Sequence, residues 1–160
     1  MPLLGTELGL DNGLSMGIVS VLALSSAAIQ PWAGKLKDEA LISSHAGMVG
    51  GLLLIAAGLS VAAAWPSTSA LFACAVLAGL GIGIATPQGF AHLAASTAPE
   101  RMGRTMGSAE LGREMGDAGG PLLVGSIAAA ASLATGLWVL SVLVVVIAAL
   151  AFVFLRRRRT

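Results

Sequence analysis

The sequence predicts an all-α protein that crosses a membrane several times. Of its 160 residues, 56% are hydrophobic and 11% are charged, whereas soluble domains average about 25% charged residues. The apolar residues form five long runs, and a helix needs about 20 such residues to cross a bilayer. Open sheets cannot cross lipid, and these runs are too long for barrel strands. We therefore expect membrane-spanning helices.

The five predicted spans follow one another with short polar connections. We place them at residues 14–33, 44–64, 69–95, 107–131 and 134–155. We treat residues 1–160 as a single domain. Five crossings put the two termini on opposite sides of the membrane.

The first span ends near Gln30-Pro31, which we interpret as a helix end at the membrane interface.

Small residues in the second and third spans predict close helix packing. Glycines four residues apart lie on one helix face and let a neighbouring helix approach closely in lipid. The second and third spans carry such pairs, at Gly47 and Gly51 and at Gly79 and Gly83. This pattern is typical of packed bundles and does not distinguish a transporter from other membrane proteins.

The third span also carries polar residues near its inner end. Gln88 and His92 are four residues apart and can share a face toward a cavity. A histidine titrates near neutrality and can relay protons, but we prefer the interpretation of His92 as an interfacial residue. We expect His45 to be exposed to solvent, and Cys74 to be a small buried hydrophobic residue.

The fourth span differs from the others because it carries charges. At 100° per residue its charged side chains occupy an arc about 100° wide, which we call the charged face: Glu110, Arg113, Glu114 and Asp117. Beside it runs a glycine stripe of Gly112, Gly116 and Gly120. The opposite side is the lipid face, formed by Leu111, Met115, Ala118 and Leu122.

The charged face has two interpretations. A charge at the bilayer centre costs on the order of 3 kcal/mol, so we expect this face to meet protein, a watery cavity or the cytoplasm. A 20-residue span that ends at 131 begins near 112, which makes Asp117 the deepest of the four. The charges are either ion pairs at a helix end, with Arg113 bound to Glu110 or Asp117, or they carry protons.

The basic residues after the fifth span complete a one-sided charge pattern. All nine Lys and Arg fall on one side of the membrane: Lys35, Lys37, Arg101, Arg104, Arg113 and residues 156–159. Cytoplasmic loops collect Lys and Arg, so we expect the N-terminus outside and the C-terminus in the cytoplasm. The four C-terminal arginines are typical of an anchor to anionic lipid headgroups.

Three segments, in order, carry recognisable signatures. QPWAGKLKDEAL has a glycine and an aspartate separated by three residues, Gly34 and Asp38, although Glu39 stands where a basic residue is usual. GSAELGREMGDAGGPLLVG has glycines that frame a Gly-Pro pair, with Val124 replacing one glycine. Its matching residues are Gly107, Gly116, Gly120, Pro121 and Gly125. GLGIGIATPQGFAHLAASTAPERMGRTMG is similar to the span and loop that precede such a helix. Together they resemble the major facilitator superfamily of secondary transporters.

The resemblance covers nearly the whole chain and implies an incomplete six-helix half of a carrier. Five spans correspond to helices two to six of such a half. The arginine often found near Ala75 in the first half is absent, and a basic tail follows the last span. Both features favour the C-terminal half, helices eight to twelve. The resemblance also implies helix packing at Gly112, Gly116, Gly120, Pro121 and Gly125.

The function that this resemblance implies is proton-coupled efflux of a small organic molecule, as part of a larger carrier. Asp38 and the charged face are then gate and proton-coupling candidates. The alternative is a truncated or non-transporting membrane protein, or an interaction subunit. The expected partners are the lipid bilayer, an unknown substrate, and the other half of the carrier or a second copy. We expect a bacterial inner-membrane location, and no enzyme activity, cofactor, metal or nucleic acid.

Overall fold

The computed structural model describes residues 11–38 and 43–157, with side chains for 11–35 and 43–154. These residues form helices joined by short connections, without a strand in the described ranges. The helices are α1 (Asn12–Asp38), α2 (Ser44–Ala64), α3 (Thr68–Ser96), α4 (Met102–Ala130) and α5 (Leu133–Arg157), and a 3-10 turn at Pro99–Arg101 precedes α4. The predicted all-α fold class is confirmed.

Four of the helices in the described part of the chain are long and apolar enough to cross a membrane. They are α1, α2, α3 and α5, and α5 is the most apolar, with a mean hydropathy of 3.0 in its candidate span. The 29 residues of α4 are also sufficient in length, but charged residues occupy its N-terminal half. The fifth crossing therefore stays a prediction.

Two helix boundaries differ from the predicted spans. α1 continues through Pro31 to Asp38, so the helix extends beyond the predicted span end at residue 33 and the start of the expected loop is helical. A proline removes one backbone hydrogen bond, and neighbouring helices can compensate for it in membrane proteins. The carbonyl that loses its helical donor at Pro31 is that of Ala27. Gln88 of α3 donates from Nε2 to a different carbonyl of α1, that of Ala33, at 3.0 Å, and ties the end of α1 to α3. α4 begins five residues before the predicted span, because Pro99 opens a turn that leads into it.

Serine side chains fix the starts of three helices. Ser43 Oγ accepts a hydrogen bond from the backbone N–H of Ala46 at 3.2 Å, and Ser67 Oγ accepts one from Ala70 at 3.3 Å. Ser132 Oγ accepts one from Thr135 at 3.1 Å. Each serine satisfies a donor that would otherwise lack a partner in the first turn of its helix.

α3 is the central helix of the bundle. It packs against both α1 and α2, while α2 also packs against α5. α4 is held mainly by α5 and has fewer contacts with α3. The charged helix is therefore attached to the edge of the bundle and is not enclosed by it.

Glycines bring the backbones of α1, α2 and α3 into direct contact. A Cβ added to Gly51 of α2 would lie 2.6 Å from the carbonyl oxygen of Gly81 on α3. One added to Gly79 would lie 2.5 Å from the carbonyl oxygen of Leu22 on α1. The predicted packing role of the glycine pairs in the second and third spans is confirmed.

Hydroxyl groups connect α5 to α2. Ser141 of α5 is buried, and its Oγ donates to the carbonyl of Ala56 at 2.9 Å. The hydroxyls of Ser60 and Ser141 are 2.8 Å apart. These contacts hold α5 against α2, and α5 in turn holds α4 at the edge of the bundle.

Alanine substitutions at two adjacent glycines of α2 test the packing of α2 on α3. Gly51→Ala should destabilise the chain by about 1 to 3 kcal/mol because its Cβ meets backbone atoms that cannot move independently. Gly50 has no atom of the described chain near its Cβ position, so Gly50→Ala should be neutral or stabilising, by up to about 1 kcal/mol. The measurement is unfolding by SDS followed by circular dichroism. Equal stabilities for the two variants would contradict the proposed contact.

Candidate functional site

The candidate site lies on the most exposed helical segment of the molecule. Every residue from Glu110 to Gly119 is exposed, and Val124 is the one residue of α4 that is buried. Ten consecutive exposed residues cover all sides of a helix, which has 3.6 residues per turn. This part of α4 therefore has no packing partner in the described chain.

Arg113 holds the charged face together. Its Nε and Nη2 donate to the same oxygen of Glu110, at 3.0 and 2.6 Å. Its Nη1 donates to Asp117 at 2.7 Å, and Nη2 also contacts Glu114. The four residues predicted from helical spacing are thus brought together. Three carboxylates against one guanidinium give the charged face a formal charge of −2.

The carboxylates differ in how strongly they are bound to Arg113. Glu110 receives two hydrogen bonds, whereas Asp117 receives one, from Nη1 alone. Ion pairs exposed to water contribute little to stability because water screens them. The situation differs where water is excluded, because removal of one member of a buried ion pair leaves the charge of the other member uncompensated. Arg113 therefore holds Glu110 by more hydrogen bonds than it holds Asp117.

The glycine stripe beside the charged face is open. No atom of the described chain lies within 4 Å of a Cβ placed on Gly112, Gly116 or Gly120. Pro121 lies within α4 and is exposed, and Gly125 is half-buried. The packing role predicted for these five residues stays a prediction, and the described chain supplies no packing partner for the glycine stripe.

The lipid face is open as well. Leu111, Met115 and Leu122 are 63%, 68% and 70% exposed. Large apolar side chains with this exposure agree with a helix surface that meets lipid.

Gln88 lies between three helices of the chain. It is 3% exposed, its Nε2 is bound to α1, and its Cγ would lie 3.0 Å from a Cβ on Gly47 of α2. Its Oε1 is buried without a hydrogen-bond partner among the described residues. The observed contacts tie α1 to α3, and the predicted role in a cavity stays a prediction.

His92 packs against a second histidine that the sequence did not connect with it. The rings of His45 and His92 are 4.8 Å apart, edge to face. The expected exposure of His45 is wrong: it is half-buried, because α2 begins at Ser44 and its first turn packs beside the end of α3. The two histidines are 47 residues apart in sequence, and no local pattern signals such a contact.

Two further expectations concern Asp38 and metal binding. Asp38 is the last residue of α1, and its side chain lies outside the described residues. Within the described part of the chain, no group of three or more His, Cys, Asp or Glu side chains is arranged to hold a metal ion.

Comparison with known proteins gives one family. The chain matches the Major Facilitator Superfamily over residues 1–160. It is similar to the "Multidrug resistance protein B homolog" of two Mycobacterium tuberculosis strains, CDC 1551 / Oshkosh and ATCC 25618 / H37Rv, with 32% identity over 102 residues. That alignment covers 64% of this chain and 18% of each relative. No solved structure gives a significant match.

Leucine substitutions on α4 and α5 test whether the glycine stripe is open. Gly116→Leu should leave the SDS resistance of the 160-residue chain unchanged. Gly136→Leu on α5 should lower it, because a Cβ there would lie 2.9 Å from the carbonyl oxygen of Val124. The readout is the SDS concentration at half-unfolding. A loss of stability in Gly116→Leu as large as that in Gly136→Leu would contradict an open stripe.

Proposed function

This chain belongs to the Major Facilitator Superfamily, and we propose that it forms part of a secondary active carrier that exports a small organic molecule. The observation that supports part of a carrier rather than a whole carrier is segment 110–119 of α4. Its charges and glycines are exposed, and the described chain supplies no packing partner for them. The mycobacterial relatives are named as multidrug resistance protein B homologs, which agrees with export as the proposed direction of transport. The proposed setting is a bacterial inner membrane.

The glycine stripe and the charged face of α4 are the proposed contact with the remainder of the carrier. Substrate sites of such carriers lie near the bilayer midplane, between repeated units. We assign α1 to α5 to helices eight to twelve, so that the remainder of the carrier, or a second copy, meets the glycine stripe and the charged face. Burial there would remove the charges from water and strengthen their interactions.

The charged face is the proposed cytoplasmic gate, with Asp117 as its proton-sensitive member. Asp117 lies three residues beyond Glu114, about 4.5 Å deeper along the helix. It is bound to Arg113 by one hydrogen bond, so protonation releases one donor without dispersing the whole cluster. That donor can then pair with the opposite half, and Asp38 would engage a helix start there. His92 is the second proton-carrying candidate.

Matched carboxamide variants test proton coupling in a carrier that contains this chain. Asp117→Asn should abolish transport driven by a pH gradient while it preserves substrate exchange without a gradient, because a coupling residue acts on the proton and not on the substrate. Glu114→Gln, which removes a neighbouring carboxylate, should retain gradient-driven transport. The assay is uptake into everted vesicles across a range of pH. Normal transport by Asp117→Asn at every pH would show that the charges are structural.

Single cysteines test the proposed orientation, with the C-terminus in the cytoplasm. Ser67→Cys and Thr135→Cys should react with a membrane-impermeant maleimide added to intact cells, whereas Ser43→Cys and Thr105→Cys should react after permeabilisation. The native Cys74 is 1% exposed and can serve as the unreactive background. Labelling of Ser43→Cys from outside would reverse the orientation.

A further inference from the structure

A second, separate site lies where α3 ends and α4 begins. A cavity of about 810 Å³ opens there between the two helices. Its lining combines two guanidinium groups, two hydroxyls and two apolar side chains: Leu93, Arg101, Arg104, Thr105, Ser108 and Ala109. None of these residues belongs to the charged face.

The two arginines of this cavity are available to a ligand. Both are exposed, and neither forms an ion pair within the described residues, in contrast to Arg113 with its three carboxylates. The cavity also adjoins the N-terminal end of α4, where helix N–H groups add positive potential. Two guanidiniums with hydroxyl donors beside them suit a phosphate group, which accepts several hydrogen bonds at once.

An apolar surface continues from the same side of α4. At 100° per residue, two of the cavity-lining residues of α4, Arg104 and Ser108, lie in one arc of about 80° with the whole lipid face, whereas Thr105 and Ala109 lie in line with the glycine stripe. The charged face is centred about 130° away and does not oppose an anion in the cavity. From Arg104 to Leu122 the distance along the helix is about 27 Å, which exceeds the half-thickness of the hydrocarbon core of a bilayer.

We propose that the cavity binds the phosphate-bearing headgroup of an anionic phospholipid, with an acyl chain lying along the lipid face. Free phosphate would use the arginines and hydroxyls alone. A lipid uses these groups together with the exposed apolar side chains of Leu111, Met115 and Leu122, which lie in the same arc. The proposal does not depend on transport, because it concerns a surface outside the charged face.

Native mass spectrometry of the purified 160-residue chain tests the headgroup site. With phosphatidylglycerol and phosphatidylcholine offered in equal amounts, the chain should retain phosphatidylglycerol preferentially. Arg101→Gln and Arg104→Gln should each weaken its retention about fivefold, the effect expected for one cationic side chain near an anionic lipid surface. Lys35→Gln, which removes one exposed charge on α1, is the matched control and should have no effect.

A second set of probes distinguishes a lipid from a free phosphate. Met115→Asn should weaken retention of phosphatidylglycerol while Arg101 and Arg104 remain in place. Neither inorganic phosphate nor glycerophosphoglycerol, which lacks acyl chains, should displace the lipid at equal concentration. Arg104→Lys should retain more lipid than Arg104→Gln, and circular dichroism checks that each variant is folded. Equal retention of the two lipids, equal loss in Lys35→Gln, or displacement by inorganic phosphate would overturn the proposal.

Discussion

The close contact of α3 with α1 and α2 is the constraint on which the other helices depend. Lipid is as apolar as a leucine side chain, so helices in a bilayer gain little by hiding hydrophobic surface from it, and van der Waals contact at small residues becomes decisive. Gly51 and Gly81 supply this contact between α2 and α3, and Gly79 supplies it toward α1. α2 then holds α5 through Ser141, and α5 holds α4.

The centre of the bundle and α4 at its edge differ in how much of their surface is exposed. The centre of the bundle is closed: Ala75 of α3 is 0% exposed and Leu71 is 1% exposed. α4, at the edge, leaves its charges, its glycine stripe and its lipid face uncovered. A closed centre with an open, charged edge agrees with the proposal that α4 supplies the surface for the remainder of a carrier.

The parts of the fold that the sequence predicts are those set by local periodicity. The bounds of α2 match the predicted span, and the charged face follows from 100° per residue, since ion pairs between residues three or four apart need no tertiary information. The continuation of α1 past Pro31 was not predicted, because a proline commonly ends a helix, and the contact between Gln88 and this end of α1 joins residues 55 apart in sequence. The His45–His92 contact and the cavity beside Arg101 also depend on how separate helices meet, and a single sequence carries no record of that.

The two-residue connection between α4 and α5, Ala131 and Ser132, bears on how the chain enters the membrane during synthesis. Insertion is decided by the hydropathy of each segment, and α4 is too polar at its start to partition reliably alone. α5 is the most apolar helix of the chain and lies directly behind it. If α4 is the fifth crossing, the two-residue connection favours insertion of α4 and α5 together as a hairpin. A longer connection would then weaken the help that α5 gives to the insertion of the charged helix.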